Sequence, residues 1–425
     1  METLAETKRE VKPVTWIGKS IKRKEDPILI TGSGTFIDDI HLDGMLYAGF
    51  VRSSYAHALI ESVQFSKVYS HQGVEAAVQG KDFALRIRSW MNIEGLKEPQ
   101  VCSLATGKVR YVGEPVAAVV TRNRYLAEDL VERVDVEYKP LNPVVDAEKA
   151  LTTRDLIFED WHDNLLFHKK YGHGDADEAI HNSDVVIRER LQSQRHSATP
   201  METRGIVASY NRFSEELTVW VSTQMPHLMK SLIAESLGID ESRVRVIAPN
   251  VGGGFGLKST LYQDELAVCQ LSMRLGKPVK WIETRTEHLL TSAHARDQIH
   301  YVEAGFKKDG TLAGLRDKII VDFGAGGAIW NGIAPALVTC GSIPGPYKFK
   351  NFSYDLHCVV TNKTPFGAHR GFGRPVASYV MERVMDIAAR KLGIDPALIR
   401  GKNLIQKSDM PYTSPSGLTY DSGNY

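Results

Sequence analysis

No CxxC pair occurs anywhere in the sequence. The four cysteines, Cys102, Cys269, Cys340 and Cys358, are far apart, which excludes a sequence-evident zinc or iron–sulfur site in this chain. Such scatter fits the reduced thiols of the cytoplasm better than a disulfide framework. Runs of about 18 apolar residues are also missing, so no membrane span is expected. Nor is there an excess of one charge. The 52 basic and 51 acidic side chains nearly cancel, leaving nothing to recruit nucleic acid or an anionic membrane surface. The first residues, METLAETKREVKPV, lack the apolar stretch of a secretory leader. Internal repeats and low-complexity segments are absent too. What remains is the profile of a cytoplasmic enzyme, and 425 residues exceed one ordinary core and imply two or three domains.

Local pattern divides the chain. Gly113 and Pro115 precede an apolar run of strand length at 116–121, residues 126–134 (LAEDLVERV) have helical spacing, and 134–138 alternate as a strand. A strand, a short helix and a strand argue for an α/β unit. No glycine-rich phosphate loop follows the first strand, so this is not a nucleotide fold of the familiar kind. The proline-bearing KPLNPVVDAEKALTTRDL reads as a linker to a larger unit. There, 217–222 and 244–248 read as strands, and Pro226 opens a helix that stops at Gly238. The clearest amphipathic helices are predicted over 261–275 and 377–392.

Three loops stand out, each expected to begin where a strand ends: Ser222-Thr223-Gln224-Met225-Pro226-His227, then Asn250-Val251-Gly252-Gly253-Gly254-Phe255-Gly256-Leu257-Lys258, then Gly367-Ala368-His369-Arg370-Gly371-Phe372-Gly373-Arg374-Pro375. Such glycine density lets a ligand approach backbone N–H groups closely, and loops that enter helices present unpaired donors to oxyanions. Each feature alone has an ordinary reading. GGGFG is commonly a tight turn, Arg370 a surface ion-pair partner, Gln224 a helix-start hydrogen bonder, Phe255 and Phe372 core residues. Neither the phosphate-loop nor the dinucleotide fingerprint fits. From the residues alone, the loops point to an oxyanion or a phosphate-bearing cofactor without choosing among them.

Taken together and in this order, the loops resemble the large subunit of the xanthine dehydrogenase and aldehyde oxidase family. Residues 34–55 (GTFIDDIHLDGMLYAGFVRSSY) and 109–120 (VRYVGEPVAAVV) are similar to the family's α/β hammerhead domain. HSATPMETRG at 196–205 and the three loops resemble the first of its two molybdenum-cofactor domains. The resemblance implies an α+β fold. It comprises an N-terminal extension (1–24), a hammerhead domain (25–145), a linker (146–165), the first half of the molybdopterin-binding domain (166–410) and a C-terminal tail (411–425) at a split junction. It implies molybdenum-molybdopterin, in the cytosine dinucleotide form, as cofactor. Gln224 corresponds to the glutamine beside the metal's apical oxygen, and Phe255, flanked by Gly253, Gly254 and Gly256, to the residue whose backbone lies against the metal. Arg370, followed by Gly371, corresponds to the arginine at metal and pterin, and Phe372 to the aromatic that packs on a planar substrate.

Departures from the family matter as much. Carbon monoxide dehydrogenases carry cysteine where this chain has Gly371, which argues against carbon monoxide as substrate. Purine-oxidising members have a glutamate at the position of Ser259 and an arginine near Val338, which argues against xanthine. Relatives are commonly twice as long, and their second half supplies the glutamate that acts as general base. Neither Glu202, His227 nor His369 is a good substitute, and Glu202 is expected in a structural ion pair with Arg204 or another arginine. We therefore expect a split subunit, as in nicotinate dehydrogenase, that hydroxylates an aromatic heterocycle, an aldehyde or a related carbon with water as oxygen donor. Its partners would be a second molybdopterin-binding subunit, an iron–sulfur (2Fe-2S) subunit and an FAD subunit. A non-catalytic cofactor-binding or assembly protein of the same descent is the alternative.

Overall fold

The computed structural model describes residues 15–88, 93–326 and 329–425. The first fourteen residues, part of the extension expected at 1–24, lie outside them. The chain divides into two compact units, 1–35 and 36–425. The described residues of the first include a short helix, Asp26–Ile30. The second contains the sheets and the loops.

A seven-stranded sheet runs in the spatial order Val244–Ile247, Glu216–Val221, Gly205–Asn211, Val279–Ile282, Leu46–Arg52, Pro115–Thr121, Val74–Gln79. Two pairings are parallel: Glu216–Val221 with Val244–Ile247, and Leu46–Arg52 with Val279–Ile282. Pro115–Thr121 (PVAAVVT) is buried at every position, because it is paired on both sides and its two faces enter two separate cores. Helices Pro226–Leu237 and Gln263–Leu275 lay Met229, Leu232, Ile233, Leu266 and Leu271 on this sheet's core. Asn123 caps the helix Arg124–Val131 by accepting from the N–H groups of Tyr125 and Leu126, so that helix starts before its apolar pattern does and ends at Val131 rather than 134. The strand after it is Asp135–Pro140.

A five-stranded sheet, in the order Leu165–His173, Asn351–Val359, Leu312–Asp322, Gln298–Phe306, Val185–Ser193, forms the second layer system. One side packs against Ile329–Ser342 and Arg374–Leu392, which bury Ile333, Ala336, Val380, Met381 and Val384. Residues 146–165, expected as a linker, send Ala147, Ala150, Ile157, Phe158 and Trp161 into this same core. Their polar neighbours mask that burial in the sequence. Two helices differ from their patterns at the start. The predicted 261–275 begins at Gln263, because the Tyr262 N–H is capped by Glu265 Oε2 at 3.0 Å. The predicted 377–392 begins at Arg374, with Pro375 in its first turn. Among the described residues no helix is long and apolar enough to cross a membrane.

Candidate functional site

The first loop follows Glu216–Val221 directly, and Pro226 starts the next helix, which leaves Gln224 exposed just ahead of it. The glycine loop follows Val244–Ile247 and leads to Gln263–Leu275. The third loop ends in Arg374–Leu392, but the preceding strand stops at Val359, well before Gly367. The expectation that it begins at a strand end therefore does not hold; Phe366 and Gly367 are tied instead to Phe323 and His294 by backbone hydrogen bonds.

The three loops close on one another. Gly256 N–H donates to Gln224 Oε1 at 2.8 Å, Gln224 N–H donates to the Lys258 carbonyl at 2.8 Å, and Arg370 N–H donates to the Phe255 carbonyl at 2.8 Å. Gln224, Gly253, Gly254, Phe255, Gly256, Arg370, Gly371 and Phe372 thus share one surface. The approach is tight: a Cβ on Gly254 would fall on the Gln224 amide, and one on Gly373 would fall on the Pro335 carbonyl and Thr339. Phe255 and Phe372 both adopt left-handed backbone, at φ 53° and 56°, yet the residues remain 42% and 37% exposed. A bulky residue in that region costs on the order of 1–3 kcal/mol and persists only where its surroundings hold it. The Arg370 and Gln224 hydrogen bonds hold the Phe255 turn, and at Phe372 the N–H donates to the His369 carbonyl at 2.7 Å. Two aromatics in left-handed backbone thus stand exposed beside the glycine cluster.

Behind the loops lies a polar support that the sequence did not reveal. Lys258 is 2% exposed, and its Nζ donates to Glu202 Oε2, the Glu202 carbonyl and Ser222 Oγ, each at 2.9 Å. Burial pushes the Lys258 ammonium down, against the opposing pull of Glu202. Glu202 also accepts from Gly252 N–H at 2.8 Å and Ser222 Oγ at 2.6 Å. The expected pairing of Glu202 with Arg204 is therefore corrected. Arg204 is engaged by Asp264 and Glu283 instead, because its side chain runs into the core while Glu202 faces the glycine loop. Motif position alone could not separate these neighbours.

His369 and His196 hydrogen bond to each other at 2.6 Å. Burial, with the charges of His196, Arg296 and Arg370, pushes His369 down to about 4. Arg296 donates to the Arg370 carbonyl at 2.7 Å. His227 is exposed at the start of its helix. Ser259 Oγ donates back to the Gly256 carbonyl, so its hydroxyl serves the loop's own turn. Val338 is half-buried on Ile329–Ser342, next to Thr339, whose hydroxyl donates to the Gly373 carbonyl at 3.3 Å.

Comparison with known proteins matches residues 157–404 to the family model of a molybdopterin cofactor-binding domain. It matches 31–142 to that of the a/b hammerhead domain of aldehyde oxidase and xanthine dehydrogenase. The nicotine 6-hydroxylase large subunit of Paenarthrobacter nicotinovorans is 36% identical over 96% of this chain and 50% of its own length. The nicotinate dehydrogenase large molybdopterin subunit of Eubacterium barkeri is 32% identical, over 92% of this chain and 89% of its own. The crystal structure of quinoline 2-oxidoreductase from Pseudomonas putida 86 superposes with a TM-score of 0.91 at 36% identity, covering 96% of this chain and 52% of that one. The chain thus spans about half the length of the first relatives it matches, and nearly all of the Eubacterium subunit.

Proposed function

Because the chain belongs to the xanthine dehydrogenase and aldehyde oxidase family, with its hammerhead and molybdopterin cofactor-binding domains, we propose that it is one of two molybdopterin-binding parts of a molybdenum-dependent hydroxylase. The substrate class is an aromatic heterocycle, an aldehyde or a related activated carbon, with water as oxygen donor. Electrons pass onward to 2Fe-2S and FAD subunits, and the cofactor is the cytosine dinucleotide form. The observation that carries this reading is the mutual closure of the three loops, with Gln224 locked to Gly256 and Arg370 to Phe255.

A cradle that a single Cβ on Gly254 would fill fits a group that must sit against backbone. When bound, the molybdenum cofactor supplies oxygen transfer from water and takes up the electron pair. The residues of this chain position it. Gln224 uses its amide oxygen to hold the glycine loop, so the amide's N–H2 is the half directed to a ligand. Phe255 and Gly256 offer their backbone to that group. Phe372, turned outward, offers a ring face on which a flat heterocycle lies in offset contact. Arg370 fixes the two glycine loops to each other through its backbone. Of the acid–base candidates at the loops, the Glu202 carboxylate is consumed by Lys258, Ser222 and Gly252, and His196 and His369 bind each other. This favours a general base on the second molybdopterin-binding chain.

The test is to purify the native complex and determine its metal, pterin nucleotide and companion chains. Molybdenum with a second subunit of similar size is the expected result; a monomer free of molybdenum would overturn the proposal. In the reconstituted complex, Gln224→Ala and Arg370→Ala should each lower activity or molybdenum content about 10- to 100-fold. Unchanged values in both would remove the site assignment.

A further inference from the structure

The five-stranded sheet carries a cluster of polar side chains. On it, His168 and His357 stand directly opposite each other where Leu165–His173 pairs antiparallel with Asn351–Val359. Asp355, two residues before His357, shares their face because side chains alternate along a strand. One donor atom from each residue lies within 4.8 Å of the other two, and the imidazole rings are 4.6 Å apart. Asp355 Oδ1 is 2.7 Å from His168 Nε2 and 3.0 Å from His357 Nε2. Only the first contact is a hydrogen bond; the buried His357 Nε2 has no hydrogen-bond partner. Two ring nitrogens thus converge on one carboxylate oxygen.

The geometry points to a metal site, separate from the cofactor loops, in which His168, Asp355 and His357 hold one divalent ion of the zinc, nickel or copper kind. Two imidazoles and a carboxylate suit these borderline ions, whereas magnesium and calcium take oxygen ligands. Ligands about 2.0–2.2 Å from a tetrahedral zinc stand a little over 3 Å apart, so the donors need only small side-chain shifts on a fixed strand scaffold. Asp355 also lines an open groove of about 870 Å³ with Lys170, Arg316 and Lys318, which gives the ion a path and leaves coordination positions for water or a small anion. Two cations oppose it. Lys170 Nζ is 3.8 Å from Asp355 Oδ2, and Lys318 stands opposite Asp355 on the neighbouring strand.

Zinc titration of the full chain against a chromophoric chelator tests this, with cobalt substitution to read ligand-field bands. The expected result is one tight equivalent, weakened at least tenfold in His168→Ala and in His357→Gln, and tightened in Lys170→Met. Melting temperatures without metal establish that each variant is folded, and Asp355→Asn provides an independent variant should one histidine change prevent folding. Equal zinc affinity in the native chain and in the His168→Ala/His357→Gln double variant would overturn the site, leaving an ordinary His–Asp–His hydrogen-bond cluster.

Discussion

The atoms nearest a Cβ on Gly254 all belong to the Gln224 side chain, and an exposed side chain can swing aside at little cost. What it cannot do is swing aside and still accept from Gly256 N–H. Gly254→Ala should therefore lower stability by no more than about 1 kcal/mol, the worth of one exchanged hydrogen bond. Molybdenum content should nevertheless fall as far as in Gln224→Ala. The double variant should be no worse than Gln224→Ala alone, since both changes act through one contact. Metal analysis beside chemical denaturation of the three proteins measures this; additive losses of molybdenum would show that Gly254 acts by another route. At this scale the sequence was partly legible. Gln224, Phe255 and Arg370 stand in motifs whose order marked them, whereas the partner of Glu202 was misjudged. Arg204 and Lys258 are both cations near it by motif, and only the direction in which each side chain leaves its backbone decides between them.

Elements divide along the same line. The helix Pro226–Leu237 lies where its opening proline and closing Gly238 placed it, because both punctuation marks are local. The helices at 263 and 374 start elsewhere than their apolar patterns did, because a cap and a proline, not hydrophobic spacing, set the first turn. The seat of the third loop on Ile329–Ser342 was not legible, since it depends on Gly373 lying against the Pro335 carbonyl and the Thr339 backbone. Those are backbone atoms and cannot yield. Gly373→Ala should force the loop away from the helix, costing roughly 1–3 kcal/mol as overpacked sites do, and should drag Arg370 off the Phe255 carbonyl. Stability and molybdenum content should fall together, in contrast to Gly254→Ala. A denaturation midpoint equal to that of the native chain would refute the packing argument.

At the scale of the molecule, local pattern separated an α/β unit from a larger one, yet Leu46–Arg52 is hydrogen bonded to Val279–Ile282, far along the chain. No short-range periodicity encodes such a pairing. A buried charge network fastens the same junction. Arg52, on that strand, meets Asp264 at 3.1 Å and Glu287 at 2.9 Å. The fully buried Arg204 meets Asp264 and Glu283 at 2.7 Å each and Glu265 at 3.7 Å, with its guanidinium 3.8 Å from the centre of the Tyr262 ring. The carboxylates differ in kind. Burial pushes Glu265 up to about 8, against the pull of Arg204. Glu283 is held far below its usual range, because Arg204 and His288 outweigh its burial. The folded state thus keeps a proton on Glu265 that the unfolded chain releases near pH 4.5, so between about pH 4.5 and 8 this one group contributes a stability that falls as pH rises. Glu283 acts in the opposite sense and loses its contribution only in strong acid, outside that window. Glu265→Gln retains a polar group and removes the titration. Measured against pH from 5 to 8, unfolding free energy should decline in the native chain, by at most about 1.4 kcal/mol per pH unit, relative to the variant. Parallel profiles for the two proteins would mean that Glu265 is already ionised, and that Arg204, not burial, governs its carboxyl.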